Sequence, residues 1–158
     1  LNRQKMPNQG AFQQQMREFF RQCPDHFRYS IEIRNPNFLN PNYFDFLNSS
    51  GLFHVFVQGY WMPSIFDLYA QQRTRINGFT LIRLLGPDRS KIEEITKKRW
   101  HTVVQPKDTE LEQLAEMVKD LTARRVNVGI NVNNHYEGSA PLTIDRFVDM
   151  LFNDQLKR

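Results

Sequence analysis

Four times along the chain, a short run in which apolar and other residues alternate is joined through a turn to apolar residues spaced three and four apart. Alternation marks a strand, and the wider spacing marks one face of a helix. The first strand is expected at residues 28–35 (RYSIEIRN), with a helix over 41–49 that stops at Gly51. The second, residues 53–61 (FHVFVQGYW), leads to a helix over 64–72, and the third, residues 79–86 (FTLIRLLG), to a helix over 91–100. The fourth, residues 126–132 (VNVGINV), lies between a long helix that starts near Thr109 and a last helix after Pro141. Ser90 with Glu93, and Thr109 with Glu112, have the spacing of capping boxes. The long helix should bury Leu111, Leu114, Val118 and Leu121, and the last one Ile144, Phe147, Val148 and Leu151. Residues 1–10 read as a loose leader, and residues 11–22 place Phe12, Met16, Phe19 and Phe20 on one helical face. Strands alternating with helices imply an α/β domain over 11–158 with a mostly parallel sheet and right-handed crossovers.

The strand faces narrow the architecture. Tyr29, Ile31 and Ile33 oppose Ser30, Glu32 and Arg34; Val126, Val128, Ile130 and Val132 oppose Asn127, Gly129, Asn131 and Asn133. In the second strand Phe53, Val55 and Val57 oppose His54, Phe56 and Gln58, and in the third Ile82 and Leu84 oppose Leu81 and Arg83. A doubly wound sheet is covered on both sides and its strands should be nearly all apolar. One apolar and one polar face suits a barrel, with branched residues outward under the helices and polar residues in the lumen. The expected inward set is Glu32, Arg34, Gln58, Arg83, Asn131 and Asn133, late in their strands, where (β/α) barrels hold their sites. Such groups need partners, and Glu32 with Arg34 or Arg83 is the natural ion pair. The competing reading is a polar plug that only holds the barrel together.

Composition adds limits. With 158 residues, 40% hydrophobic and 24% charged, the chain fits one soluble globular domain. Its net charge of +4 permits an anionic partner without requiring one. Lys97-Lys98-Arg99 and Arg124-Arg125 fall near expected helix ends, where they suit the helix dipole. A single cysteine, Cys23, excludes a disulfide framework and points to a reducing, cytoplasmic compartment. No signal peptide or membrane-spanning run is recognised, no Cys/His set resembles a metal site, and no glycine-rich pattern calls for a dinucleotide or other cofactor.

Three motifs then carry a resemblance. Tyr29-Ser30-Ile31-Glu32-Ile33-Arg34-Asn35 resembles the "EFR" strand of the DUF72 (YecE-like) family, and Ile82-Arg83-Leu84-Leu85-Gly86 resembles its "R-x-H-G" strand end. Val132-Asn133-Asn134-His135, running through Gly138, Ala140 and Pro141, resembles its "F-N-N-H/D…G-x-A" signature. The match spans roughly residues 28–152, and Leu85 stands where many relatives carry His. The resemblance implies a parallel (β/α) barrel of TIM type, and names no reaction. Since such barrels take about 250 residues, it further implies a partial barrel, the C-terminal half, without the N-terminal half. Half a barrel exposes two strand edges, so self-association or the missing half is expected to cover them.

The candidate chemistry centres on an anionic small molecule. Arg34 and Arg83 suit a bidentate clamp on phosphate or carboxylate, with Gln58, Asn133 and Asn134 as further polar contacts. The turn at Gly138 would add backbone N–H groups. Glu32 and His135 form the candidate catalytic acid/base pair, against a purely structural rim histidine. Metal-dependent, nuclease-like hydrolysis needs more ligands than Glu32 and His135 supply. A nucleic-acid module is the remaining alternative, with Tyr60, Trp61 and Trp100 as stacking surfaces.

Overall fold

A computed structural model describes residues 8–59, 61–86 and 88–153. Residues 1–7 of the expected leader lie outside the described residues, while Asn8 already caps the first helix by accepting from the Ala11 amide at 2.9 Å. The elements in order are α1 (Gln9–Phe20), β1 (Ser30–Ile31), α2 (Pro41–Ser49), β2 (Phe53–Gly59), α3 (Ile65–Gln72), β3 (Phe79–Gly86), α4 (Arg89–Thr96), α5 (Asp108–Ala123), β4 (Asn127–Val132) and α6 (Ala140–Asn153). The strands form one parallel sheet in the order β1-β2-β3-β4. The β1 ladder is shorter than the alternation suggested, although Ile33 beyond it is still buried.

Neither expected capping box forms. Asp88 caps α4 instead, accepting from the Ser90 and Lys91 amides at 3.0 and 3.2 Å, which leaves Ser90 inside the helix. Helix α4 then stops short of residue 100, because Lys97 and Lys98 adopt left-handed backbone with φ of 49° and 58°. At α5 the cap position is Lys107, which has no capping side-chain bond. Its amide donates to the carboxylate of Glu137 at 2.5 Å, so a side chain from outside the helix serves an orphan donor at its start, and Thr109 lies inside the helix.

The main core lies between the sheet and the helices, and includes Ile31, Ile33, Phe56, Ile82 and Leu84 from the strands and Leu111, Leu114, Val118 and Leu121 from α5. Parallel register fixes which faces are shared: Phe56, Ile82 and Ile130 lie in one row, and Val57, Arg83 and Asn131 in another. β2 is therefore turned over relative to the sequence expectation. His54 and Phe56 face the helices, while Val55 and Val57 face inward with Leu85 in a separate cluster. His54 and Gln58 make the Phe56 face look the more polar one, but the buried His54 and the bulky Phe56 go where the helices supply contacts. Gln58 moves with it, aligned with Leu84 on the helical side. On α6, Phe147 is buried as expected, but Ile144 and Val148 are exposed.

Candidate functional site at the strand ends

At the C-terminal ends of β1 and β3, Glu32 accepts from Arg34 Nε at 2.7 Å through one oxygen and from Arg83 Nη1 through the other. Burial pushes the Glu32 carboxyl up, but the hydrogen bonds and charges of the two arginines outweigh it and hold the group below its ordinary value. Arg83 sits in the inner row with Val57 and the exposed Asn131. Its Nε and Nη2 make no hydrogen bond among the described residues.

The end of β4 is built differently from the expectation. The Asn133 amide extends the ladder to the Leu84 carbonyl at 2.9 Å, and its side-chain oxygen accepts from the His135 amide at 2.9 Å. His135 places Nδ1 2.6 Å from the same Asn133 oxygen and Nε2 3.2 Å from Glu93 Oε1 on α4. The Trp100 ring meets it edge-on with centroids 5.1 Å apart. His135 and Glu32 thus take different partners and do not form the expected pair. Trp100 is likewise engaged, Trp61 is exposed, and Tyr60 lies outside the described residues.

The turn after β4 is closed by its own bonds. Asn134 Oδ1 accepts from the Ala140 amide at 2.8 Å, and the Gly138 amide donates to the Asn134 carbonyl at 2.8 Å. Those two N–H groups are spent, which corrects the expectation that this turn offers them to a ligand. Gly138 is needed for another reason: φ is +114° and an added Cβ would lie 2.8 Å from the Thr102 carbonyl oxygen.

Two acidic residues absent from the sequence reading organise this rim. Glu137, fully buried, accepts from the Lys107 amide, from the Thr143 hydroxyl at 2.8 Å and from Arg146 Nη1 at 2.6 Å. Its backbone carbonyl also receives the amides of Val104 and Gln105. An isolated acid in the turn before a helix bearing Arg146 was the available signal. Glu110 on α5 accepts from Gln58 Nε2 at 2.9 Å, Lys107 Nζ at 2.9 Å and the Tyr136 hydroxyl at 3.0 Å. Burial raises the Glu110 carboxyl, and these donors, Lys107 foremost, bring it below its ordinary value. The same arrangement pushes the buried Tyr136 phenol up, through burial first and the Glu110 charge second. These groups, with Gly59, Met62, Ser64 and Gly86, line a cleft of about 240 Å³. A larger groove of about 840 Å³ lies on the outer, helical side, against Phe66, Tyr69 and Met117. Among the described residues no three His, Cys, Asp or Glu side chains come together as a metal site. No described helix is long and apolar enough to cross a membrane.

A parallel sheet backed by helices, with polar residues gathered at its strand ends, defines a partial (β/α) barrel of TIM type. The chain belongs to the DUF72 family, whose model, described as "Protein of unknown function DUF72", matches residues 4–158. It is similar to a solved DUF72 family protein of Thermotoga maritima, with 20% identity and a TM-score of 0.62, over 91% of this chain and 52% of that one. It is also similar to one of Enterococcus faecalis, with 19% identity and a TM-score of 0.63, over 91% and 54%. The chain therefore spans about half the length of these solved relatives. No curated protein matches it.

Proposed function

We propose that the inner rim binds a small anion bearing phosphate or carboxylate, with Arg83 as the anchor. One observation carries this reading: two guanidinium groups converge on the single carboxylate of Glu32, and Arg83 keeps Nε and Nη2 uncommitted. The cluster retains positive charge, and its open donors lie in the fork geometry that suits planar and tetrahedral anions. Asn131, exposed in the same row, is placed to add a neutral contact. Glu32 acts by positioning the arginines, since both its oxygens are occupied and its charge is held by them. The geometry supports binding more than catalysis by Glu32 and His135, because each is committed elsewhere. A lone, half-buried Cys23 is in keeping with a cytoplasmic setting.

Thermal unfolding in the presence of inorganic phosphate, and separately of citrate, tests the reading. A ligand at a hundred times its Kd stabilises by about 2.7 kcal/mol, which for a chain of this size raises Tm by about 5 to 10 °C. Arg83→Gln is expected to abolish that rise. An equal rise in Arg83→Gln, or none in the parent protein, rejects the site.

A further inference from the structure

Strain marks the long connection between β3 and α5. Lys97 and Lys98 are consecutive left-handed residues, with φ of 49° and 58°. A Cβ crowds the following carbonyl in that conformation, which is why glycine normally fills such positions. One left-handed residue is an ordinary end to a helix, and Arg125 is such a single residue just after α5, with φ of 60°. Two in succession are more than a helix end requires. The helix dipole favours a cation near the last turn, but it asks for no such backbone. Strained residues persist where their surroundings hold them, and they gather at ligand clamps.

What holds these two is one histidine. Glu93, before the pair, lies 3.2 Å from His135 Nε2, and the Trp100 ring, after it, meets the same imidazole edge-on with centroids 5.1 Å apart. His135 is in turn tied to Asn133 through its backbone amide and through Nδ1. Both flanks of the bulge over residues 97–99 are therefore stapled to the tip of β4. Its three cations stay largely uncompensated. Glu93 accepts from Arg89 Nε at 2.6 Å and reaches Lys98 Nζ only at 3.9 Å, and the Lys98 side chain is 73% exposed. Lys97 and Arg99, both exposed, have no side-chain partner among the described residues, and Glu94 pairs with none of the three. The bulge is also near the rim. The His135 carbonyl abuts Gly86 at the end of β3, where an added Cβ would collide with it. Arg83 lies three residues down that strand, about 10 Å at the usual rise.

We propose that Lys97, Lys98 and Arg99 extend the Arg83 site, so that its ligand carries a row of linked phosphates in place of one isolated anion. The extension rests on anion binding at Arg83. A terminal phosphate meets the guanidinium fork of Arg83, and the phosphates that follow run past Gly86 towards the bulge. A lysine is a compact charge on a flexible stem, which suits phosphates spaced along a chain. Glycine, unstrained at these positions, would leave that end of the site without charge. Such phosphates are either anhydride-linked, as in polyphosphate, or diester-linked, as at the 5′ end of a nucleic-acid strand.

Titration calorimetry at low ionic strength, with a chelator present, compares inorganic phosphate, tripolyphosphate and a short 5′-phosphorylated oligothymidylate. One or both linked forms are expected to bind the parent protein about tenfold or more tighter than phosphate, the effect of one added charged hydrogen bond; the form preferred names the source. In Lys97→Gly with Lys98→Gly most of that difference should be lost, while phosphate binds as before. Glycine relaxes both left-handed positions, so the urea midpoint of this variant should be no lower than the parent's. Arg83→Gln should weaken all three ligands. A parent that binds phosphate but neither linked form more tightly overturns the extension and leaves the Arg83 site standing. A difference that survives the double substitution, a double variant that loses stability, or linked phosphates undiminished in Arg83→Gln overturn it as well. Binding of none of the three rejects the Arg83 site itself, and the extension with it.

Discussion

His54 shows at the scale of one residue what burial does to chemistry. It lies fully inside the core between Phe44 and Phe56, with Nδ1 3.3 Å from the Tyr43 hydroxyl. Burial disfavours the imidazolium and lowers the folded pKa from 6.5 to about 3. The unfolded chain therefore binds a proton between pH 6.5 and about 3 that the native protein does not. Stability from this residue is full above pH 6.5 and drains as pH falls through that window, by about 2 kcal/mol between pH 6.5 and 5. The depressed carboxylates, such as Glu32 and Glu110, act at lower pH and do not obscure it. Urea unfolding at pH 7, 6 and 5 is expected to show this decline, and His54→Phe to flatten it. A parent protein with constant stability across the range contradicts the buried neutral imidazole.

Among the elements, periodicity located all four strands and the helices around them, because each helix buries a regular apolar stripe such as Leu111, Leu114, Val118 and Leu121. It oriented β2 the wrong way, because His54 and Gln58 flank Phe56 on the more polar face, and only register against Ile82 and Arg83 settles the faces. Glu32 with Arg34 and Arg83 was legible because alternation put all three charges on the polar faces of the first and third strands. Caps and rim carboxylates were not, since Asp88, Glu110 and Glu137 act on partners that only the folded chain brings near. Gly86 belongs with these tertiary features. Its φ is +84°, and an added Cβ would collide with the His135 carbonyl where β3 meets the turn after β4. Gly86→Ala combines left-handed strain with a backbone clash, and is expected to cost upwards of about 2 kcal/mol by chemical denaturation. A cost below about 0.5 kcal/mol, the range of ordinary surface changes, is incompatible with that close approach.

For the whole molecule, the rim is held together by glutamates that each bridge elements far apart in sequence. Glu32 joins β1 to β3, Glu93 joins α4 to the end of β4, Glu110 joins α5 to β2 and Tyr136, and Glu137 joins the start of α5 to α6. Most cations there are neutralised: Lys107 faces Glu110, and Arg146 is shared by Glu137 and Asp108. At Glu32 the balance tips the other way, with two arginines on one partly buried carboxylate. Glu32→Gln tests whether the carboxylate competes with a bound anion for the two arginines. The amide keeps a hydrogen-bond acceptor but removes the charge that restrains Arg34 and Arg83. Stability should fall by about 1 to 3 kcal/mol, the cost of weakening a charged hydrogen-bonded pair. Phosphate should bind more tightly, by about fivefold for each 1 kcal/mol of charge competition removed. Titration calorimetry at low ionic strength reads the affinity, and added salt should shrink the gain because exposed charges are screened. If phosphate binds Glu32→Gln no more tightly than the parent, Glu32 does not compete for the arginines and the charge argument for this rim fails.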